Sequence, residues 1–82
     1  MVTVKIRLNG DIEKAKRLVN IANTYLSDVD LICGRYCFDC KSFLATLSLD
    51  LNHPMEVRLI SDNKDEERRF DSEMSEFAQE RR

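Results

Sequence analysis

The chain has no tryptophan, one proline (Pro54), one histidine (His53) and only two glycines, Gly10 and Gly34. So little glycine and proline leaves no low-complexity tract or linker, and no internal repeat is visible. No apolar run approaches the ~20 residues needed to cross a bilayer as a helix. Neither sign of charge dominates: the formal net charge of -2 gives no basis for general affinity to nucleic acid. Charged Lys5 and Arg7 interrupt the first apolar stretch, so a signal peptide is not expected there. Three cysteines without a secretion signal point to reduced thiols and a cytoplasmic protein.

What is present is a hydrophobic share of 43% beside a charged share of 34%, the balance of a soluble globular protein rather than a disordered one. The 82 residues predict a single domain spanning 1–82. A domain of that size buries between about 60 and 70% of its unfolded surface and must pack efficiently.

Val2, Val4, Ile6 and Leu8 alternate with Thr3, Lys5 and Arg7, the period of a strand with one wet face. Asn9-Gly10 breaks it and Asp11 offers a helix cap. Ile12, Ala15, Leu18, Val19, Ala22, Tyr25 and Leu26 then recur at helical spacing and predict one buried stripe. Lys14, Lys16 and Arg17 form a basic outer face of the same helix. Val29, Leu31 and Cys33 alternate, Gly34-Arg35 reads as a turn, and Tyr36 to Cys40 resumes as a strand with Phe38 and Cys40 inward. Ser42 caps a short helix to Ser48, too short to be stable without neighbours. Asp50 to Pro54 is a loop, and Met55, Val57 and Leu59 alternate as a further strand. After Asp62-Asn63-Lys64, Asp65 is the expected cap of a last helix whose inner stripe is Phe70, Met74, Phe77 and Ala78. Asp65–Arg69 and Arg69–Glu73 are expected i,i+4 pairs, and Arg81 and Arg82 would lie at the negative end of that helix.

The order β-α-β-β-α-β-α, with strands polar on one face, fits an α+β open-faced sandwich. Such a fold is a four-stranded antiparallel sheet with three helices on one face. A ferredoxin-like ligand-binding domain with an appended helix has the same pattern.

The stretch Asp39 to Leu49 narrows the choice. Its Lys41-Ser42 pair and its Leu47-Ser48-Leu49 ending, with Ala15, Leu18-Val19, Ala22 and Tyr25 before and Asp65-Glu66 after, stand in one ungapped register. In that register the chain resembles HPr, the histidine phosphocarrier of the bacterial sugar phosphotransferase system. The resemblance implies the open-faced sandwich, no enzymatic activity of its own and no cofactor. It also implies protein partners in the phosphotransferase system or carbon-catabolite regulation, HPr kinase among them, with neither nucleic acid nor membrane. Phe43, Leu44 and Leu47 correspond to the apolar patch by which the family docks partners, with Lys16 and Arg17 alongside to steer acidic surfaces. Ser42 corresponds to the serine that a regulatory kinase modifies in some bacteria.

The family's Gly-X-His-Ala-Arg-Pro-Ala motif aligns with Asn9 to Ala15, and only Ala15 matches. Asp11 occupies the position of the phosphorylated histidine and Glu13 that of the arginine. A phosphoryl group between these carboxylates would meet repulsion on the order of 3 kcal/mol per charge pair at ~6 Å and an effective dielectric near 20. The resemblance therefore points to a regulatory or adaptor domain without histidine phosphotransfer. Alternatives are a carrier using His53 or Asp11 as acceptor, Asp11 and Glu13 imitating a phosphorylated carrier, and a ferredoxin-like small-molecule sensor.

Cys33, Cys37 and Cys40 also carry the C-x3-C-x2-C spacing of radical S-adenosylmethionine enzymes. Alternation along a hairpin turns Cys37 away from the other two, which argues against a cluster and against a zinc site completed by His53. Apolar fillers and one outward thiol are expected instead.

Overall fold

Alternation at the amino terminus builds the first strand, β1 (Val2–Ile6), and the same period recurs in β2 (Asp28–Cys33), β3 (Tyr36–Asp39) and β4 (Met55–Ile60). Helices α1 (Ile12–Ala22), α2 (Phe43–Leu47) and α3 (Lys64–Met74) occupy the intervals. The structure is a computed structural model that describes residues 1–78, so Arg81 and Arg82 lie outside the described residues.

The sheet is antiparallel throughout, in the order β1-β4-β2-β3. β4 therefore sits between the first two strands. Its Val57 lies opposite Val4 on one side and Leu31 on the other, and Leu59 opposite Val2 and Val29. These pairs point to one face, where Ile6, Leu8, Leu18, Leu31, Val57, Leu59, Phe70, Met74 and Phe77 form the core with α1 and α3. Lys5, Glu56, Arg58, Asp30 and Cys37 take the other face by the same pairing. One sheet face covered by three helices is the expected open-faced sandwich. Gly34 has φ +61 at the first central position of the two-residue β2–β3 turn, a conformation that L side chains rarely adopt.

The helices follow their sequence stripes with several departures. α1 stops at Ala22, and Thr24 and Tyr25 donate their backbone N–H groups back to Ile21 and Ala22 in a tight turn. Tyr25 is still buried, edge-on to Phe70 at 5.6 Å, with its hydroxyl donating to Glu73 Oε1 at 2.6 Å. Burial, with that carboxylate second, raises its pKa. Leu26, expected in the buried stripe, is instead 99% exposed, because the helix has ended and the chain has turned. Ile12, at the first helical position and expected in the buried stripe, is 53% exposed. Finally, α3 begins two residues earlier than expected. Its cap is Asn63, whose Oδ1 accepts from Glu66 N at 3.0 Å, not Asp65. Asp65 pairs with Arg68 rather than Arg69, while Arg69–Glu73 forms at 3.3 Å. Ala78 lies past the helix end, exposed, in a bridge with Ile6.

The hairpin register separates the cysteines. Cys37 lies opposite Ile32 on the outer face, Cys33 packs partly against the core, and Cys40 is fully buried with its N–H on Val29 O. Burial pushes the Cys40 thiol up to about 12, and loss of solvation followed by the Asp30 carboxylate raises that of Cys37. Neither is an activated thiolate. Among the described residues, no helix is long and apolar enough to cross a membrane.

Candidate functional site

Two helix starts and one loop gather the residues singled out from the sequence. At the first, the chain leaves β1 through Asn9 (φ +54) and Gly10 (φ +71). A Cβ on Gly10 would meet Asn52 Oδ1 at 2.9 Å, so the glycine serves both the backbone conformation and the close approach of the 50–54 loop. Gly10 N donates to Leu51 O at 3.0 Å and Asp11 N to Leu8 O at 3.0 Å, which sets the entry into α1. Asp11 then caps it: Oδ1 accepts from Glu13 N at 2.9 Å and Lys14 N at 3.2 Å. Its carboxylate occupies the N–H groups that an anion would otherwise use. Glu13 pairs with Lys16 at 3.5 Å on the exposed helix surface.

His53 lies in the loop that packs on Gly10, but its own bonds remain local. Its N–H donates to Asp50 O at 3.0 Å, and Nδ1 lies 3.3 Å from Pro54 O. The ring is exposed.

The second helix start is more heavily tethered. Asp39 Oδ1 accepts from Lys41 N at 2.9 Å and Asp39 O from Ser42 N at 3.0 Å, turning the chain out of β3. Lys41 Nζ donates to Tyr25 O at 2.8 Å, and Asn23 Nδ2 to Lys41 O at 3.1 Å and Val19 O at 2.9 Å. The α2 entry is thereby fastened to the carboxyl end of α1, where a cation is favoured by the exposed carbonyls. Sequence reading missed this role of Asn23 and Lys41. Its only linear trace was the short polar side chain just past the helix end.

Ser42 is the cap of α2, its Oγ accepting from Ala45 N at 3.3 Å. Thr46 is the buried anchor, fully inside, with Oγ1 donating to Ser42 O at 3.0 Å. Seating Thr46 inward turns the neighbouring positions outward: Leu44 is 81% exposed, Leu47 36%, and Phe43 is half-buried. Phe43 lines a shallow depression of about 240 Å³ with Lys16, Val19 and Asn20 of α1. The fold thus brings Ser42, Phe43, Leu44, Leu47 and Lys16 to adjoining parts of the surface. Arg17 turns elsewhere, ion-paired with Glu76 and 5.9 Å from the centre of the Phe77 ring.

The sequence matches the family described as "PTS HPr component phosphorylation site" over residues 1–79. The chain belongs to the HPr family. No curated protein matches it. Membership relates the chain to the sugar phosphotransferase system, whose HPr component is a phosphocarrier rather than a catalyst and works through protein partners. In HPr terms, the structure joins the open-faced sandwich to an aspartate-capped first helix and an apolar second helix whose first turn is capped by serine.

Proposed function

We propose that this HPr-family chain is a cytoplasmic regulatory or adaptor domain that binds proteins of the phosphotransferase system or of carbon-catabolite regulation without carrying phosphate on histidine. The observation that carries the reading is Leu44, 81% exposed on a helix held in place from beneath by Thr46 and from the side by Lys41. A large apolar side chain displayed on a rigid helix is an interface anchor, and its burial against a partner contributes about 1.5–3 kcal/mol. Leu47 and the Phe43–Lys16 depression extend that surface with one cation, suited to an acidic-rimmed apolar partner.

Ser42 is the regulatory position of this surface. A phosphoryl group on its Oγ would face the free N–H groups of the α2 first turn and place a charge of about -2 beside Leu44, changing which partners bind. HPr kinase is the enzyme to carry out that step.

The Asp11 cap supports the absence of histidine transfer, since a carboxylate already accepts from the two N–H groups at the α1 start. The tie between Gly10 and the 50–54 loop favours one second reading, in which His53 is a displaced acceptor. Its local bonding to Pro54 and Asp50 offers no cationic partner for a phosphoryl group, so this reading ranks below the first.

Mass spectrometry after two separate reactions tests the proposal. Phosphoenolpyruvate with Enzyme I should leave the mass unchanged, and ATP with HPr kinase should add one phosphoryl group that Ser42→Ala abolishes. A phosphoryl group gained in the first reaction alone would reverse the assignment.

A further inference from the structure

A second surface lies at the turn between α1 and β2 and the turn between β4 and α3. Leu26, 99% exposed, and Ile60, 42% exposed, line one open cavity of about 710 Å³ with Ser27, Asp62, Asp65 and Glu66. Two aliphatic side chains sharing one concavity differ from apolar residues scattered singly over a surface. Carboxylates surround them. Asp62, Asp65 and Glu66 line the cavity against a single guanidinium, that of Arg69, and Asp28 lies directly across the ladder from Ile60.

Asp65 is already ion-paired with Arg68, but among the described residues Asp28 and Asp62 have no ion-pair partner. Arg69 leaves these two unpaired. It is bonded to Glu73 and Thr24 and stacked 3.9 Å over the Tyr25 ring. The floor is pre-organised: Ser27 Oγ and Ser61 Oγ both donate to Glu66 Oε1, at 2.7 and 2.6 Å, tying both turns to α3. A site already ordered loses little entropy when it is occupied.

We infer that the Leu26–Ile60 cavity is a docking site for a basic segment of a partner protein that inserts an aliphatic side chain between the two residues. Charge complementarity selects this occupant: lysine or arginine flanking the inserted residue would meet Asp28 and Asp62, with Asp65, paired to Arg68, at the edge. The surface comprises other residues than Ser42, Phe43, Leu44 and Leu47, so the inference goes beyond the proposed function and does not require it. An adaptor needs two faces, and this one is the complement in charge of the Lys16-flanked surface.

The test is a titration of the full chain with a short amphipathic peptide of leucine and lysine, followed by amide chemical shifts. Shifts should concentrate at 26–28 and 60–66. Leu26→Asp and an Asp62→Lys, Asp65→Lys double substitution should each weaken binding about tenfold or more. Raising salt from ~50 to ~500 mM should weaken it further. A leucine–glutamate peptide should leave those amides unmoved, and Ser42→Ala or Leu44→Ser should leave lysine-peptide binding intact. Equal binding of both peptides, or shifts confined to α2, would overturn the inference. So would sedimentation showing that the same residues instead join two copies of this chain. Leu26→Asp should keep the parent melting temperature, since the side chain packs on nothing, and a large drop would likewise refute the assignment.

Discussion

Replacing Asp11 separates a cap from a chemical acceptor. Its Oδ1 accepts two N–H bonds, at 2.9 and 3.2 Å, in an exposed first turn. Removing such a cap costs about 1 kcal/mol, within a range of roughly 0.5–2. For a domain of this size each kcal/mol moves Tm by about 4–8 °C. Asp11→Ala should therefore lower Tm by about that amount. The loss stays small because the carbonyl of Asp11 still accepts from Ala15 N, and the buried Ala15, Leu18, Val19 and Ala22 still hold α1 against the sheet. Asp11→Asn keeps an equivalent acceptor and loses only the attraction of a charge for the helix dipole, about 0.3–1 kcal/mol and screened by salt. It should fall between the parent and the alanine variant, closer to the parent at high salt. Thermal unfolding followed by circular dichroism, at low and high salt, measures all three. An asparagine variant as unstable as the alanine one at high salt would refute the hydrogen-bond account. An unperturbed alanine variant would show that the cap contributes nothing, leaving the carboxylate to be explained by function.

Three further outcomes are expected. Leu44→Ser should leave stability within about 0.5 kcal/mol, as surface changes do, yet lower kcat/KM for phosphorylation of Ser42 by HPr kinase by roughly 1 kcal/mol or more; equal rates would detach Leu44 from the interface. Phe70→Ala, which empties a fully buried site against Tyr25, should cost about 3–5 kcal/mol in urea unfolding, and a loss below about 1 would contradict the core described. The Ser61 and Ser27 hydroxyls hold the Glu66 carboxyl below its usual range. A depressed pKa contributes stability above the unfolded value, near ~4.3, that is lost as pH falls through the folded one. The Tm of the parent should thus drop more steeply than that of Glu66→Gln below about pH 4.3, and parallel curves would dismiss the network.

Much of this molecule was legible as one-dimensional pattern. Period-two alternation marked β1, β2 and β4 because each has one face on the core and one in water, so Val57 and Leu59 announced their own orientation. Caps were legible where a single short polar residue preceded a helical stripe, as at Asp11 and Ser42. The cap of α3 was not, because Asn63 and Asp65 are both competent and only the geometry of the preceding turn selects between them. Leu26 was misjudged for a related reason. Its spacing continues the α1 stripe, but a helix ends where the backbone turns, and the Ile21 and Ala22 carbonyls take the next N–H groups three residues on.

Sequence alone determined the element order, the inward faces of the strands, and the presence of a carboxylate and a serine at two helix starts. Those properties depend on neighbours within a few positions along the chain. Only the tertiary structure decided that β4 lies between β1 and β2, that Lys41 reaches the Tyr25 carbonyl, and that burying Thr46 turns Leu44 out to solvent. It alone brought Leu26 beside Ile60, 34 positions apart in the chain, into one acid-rimmed hollow. Contacts between distant segments arise from how whole layers pack, and periodicity within one segment carries no record of them.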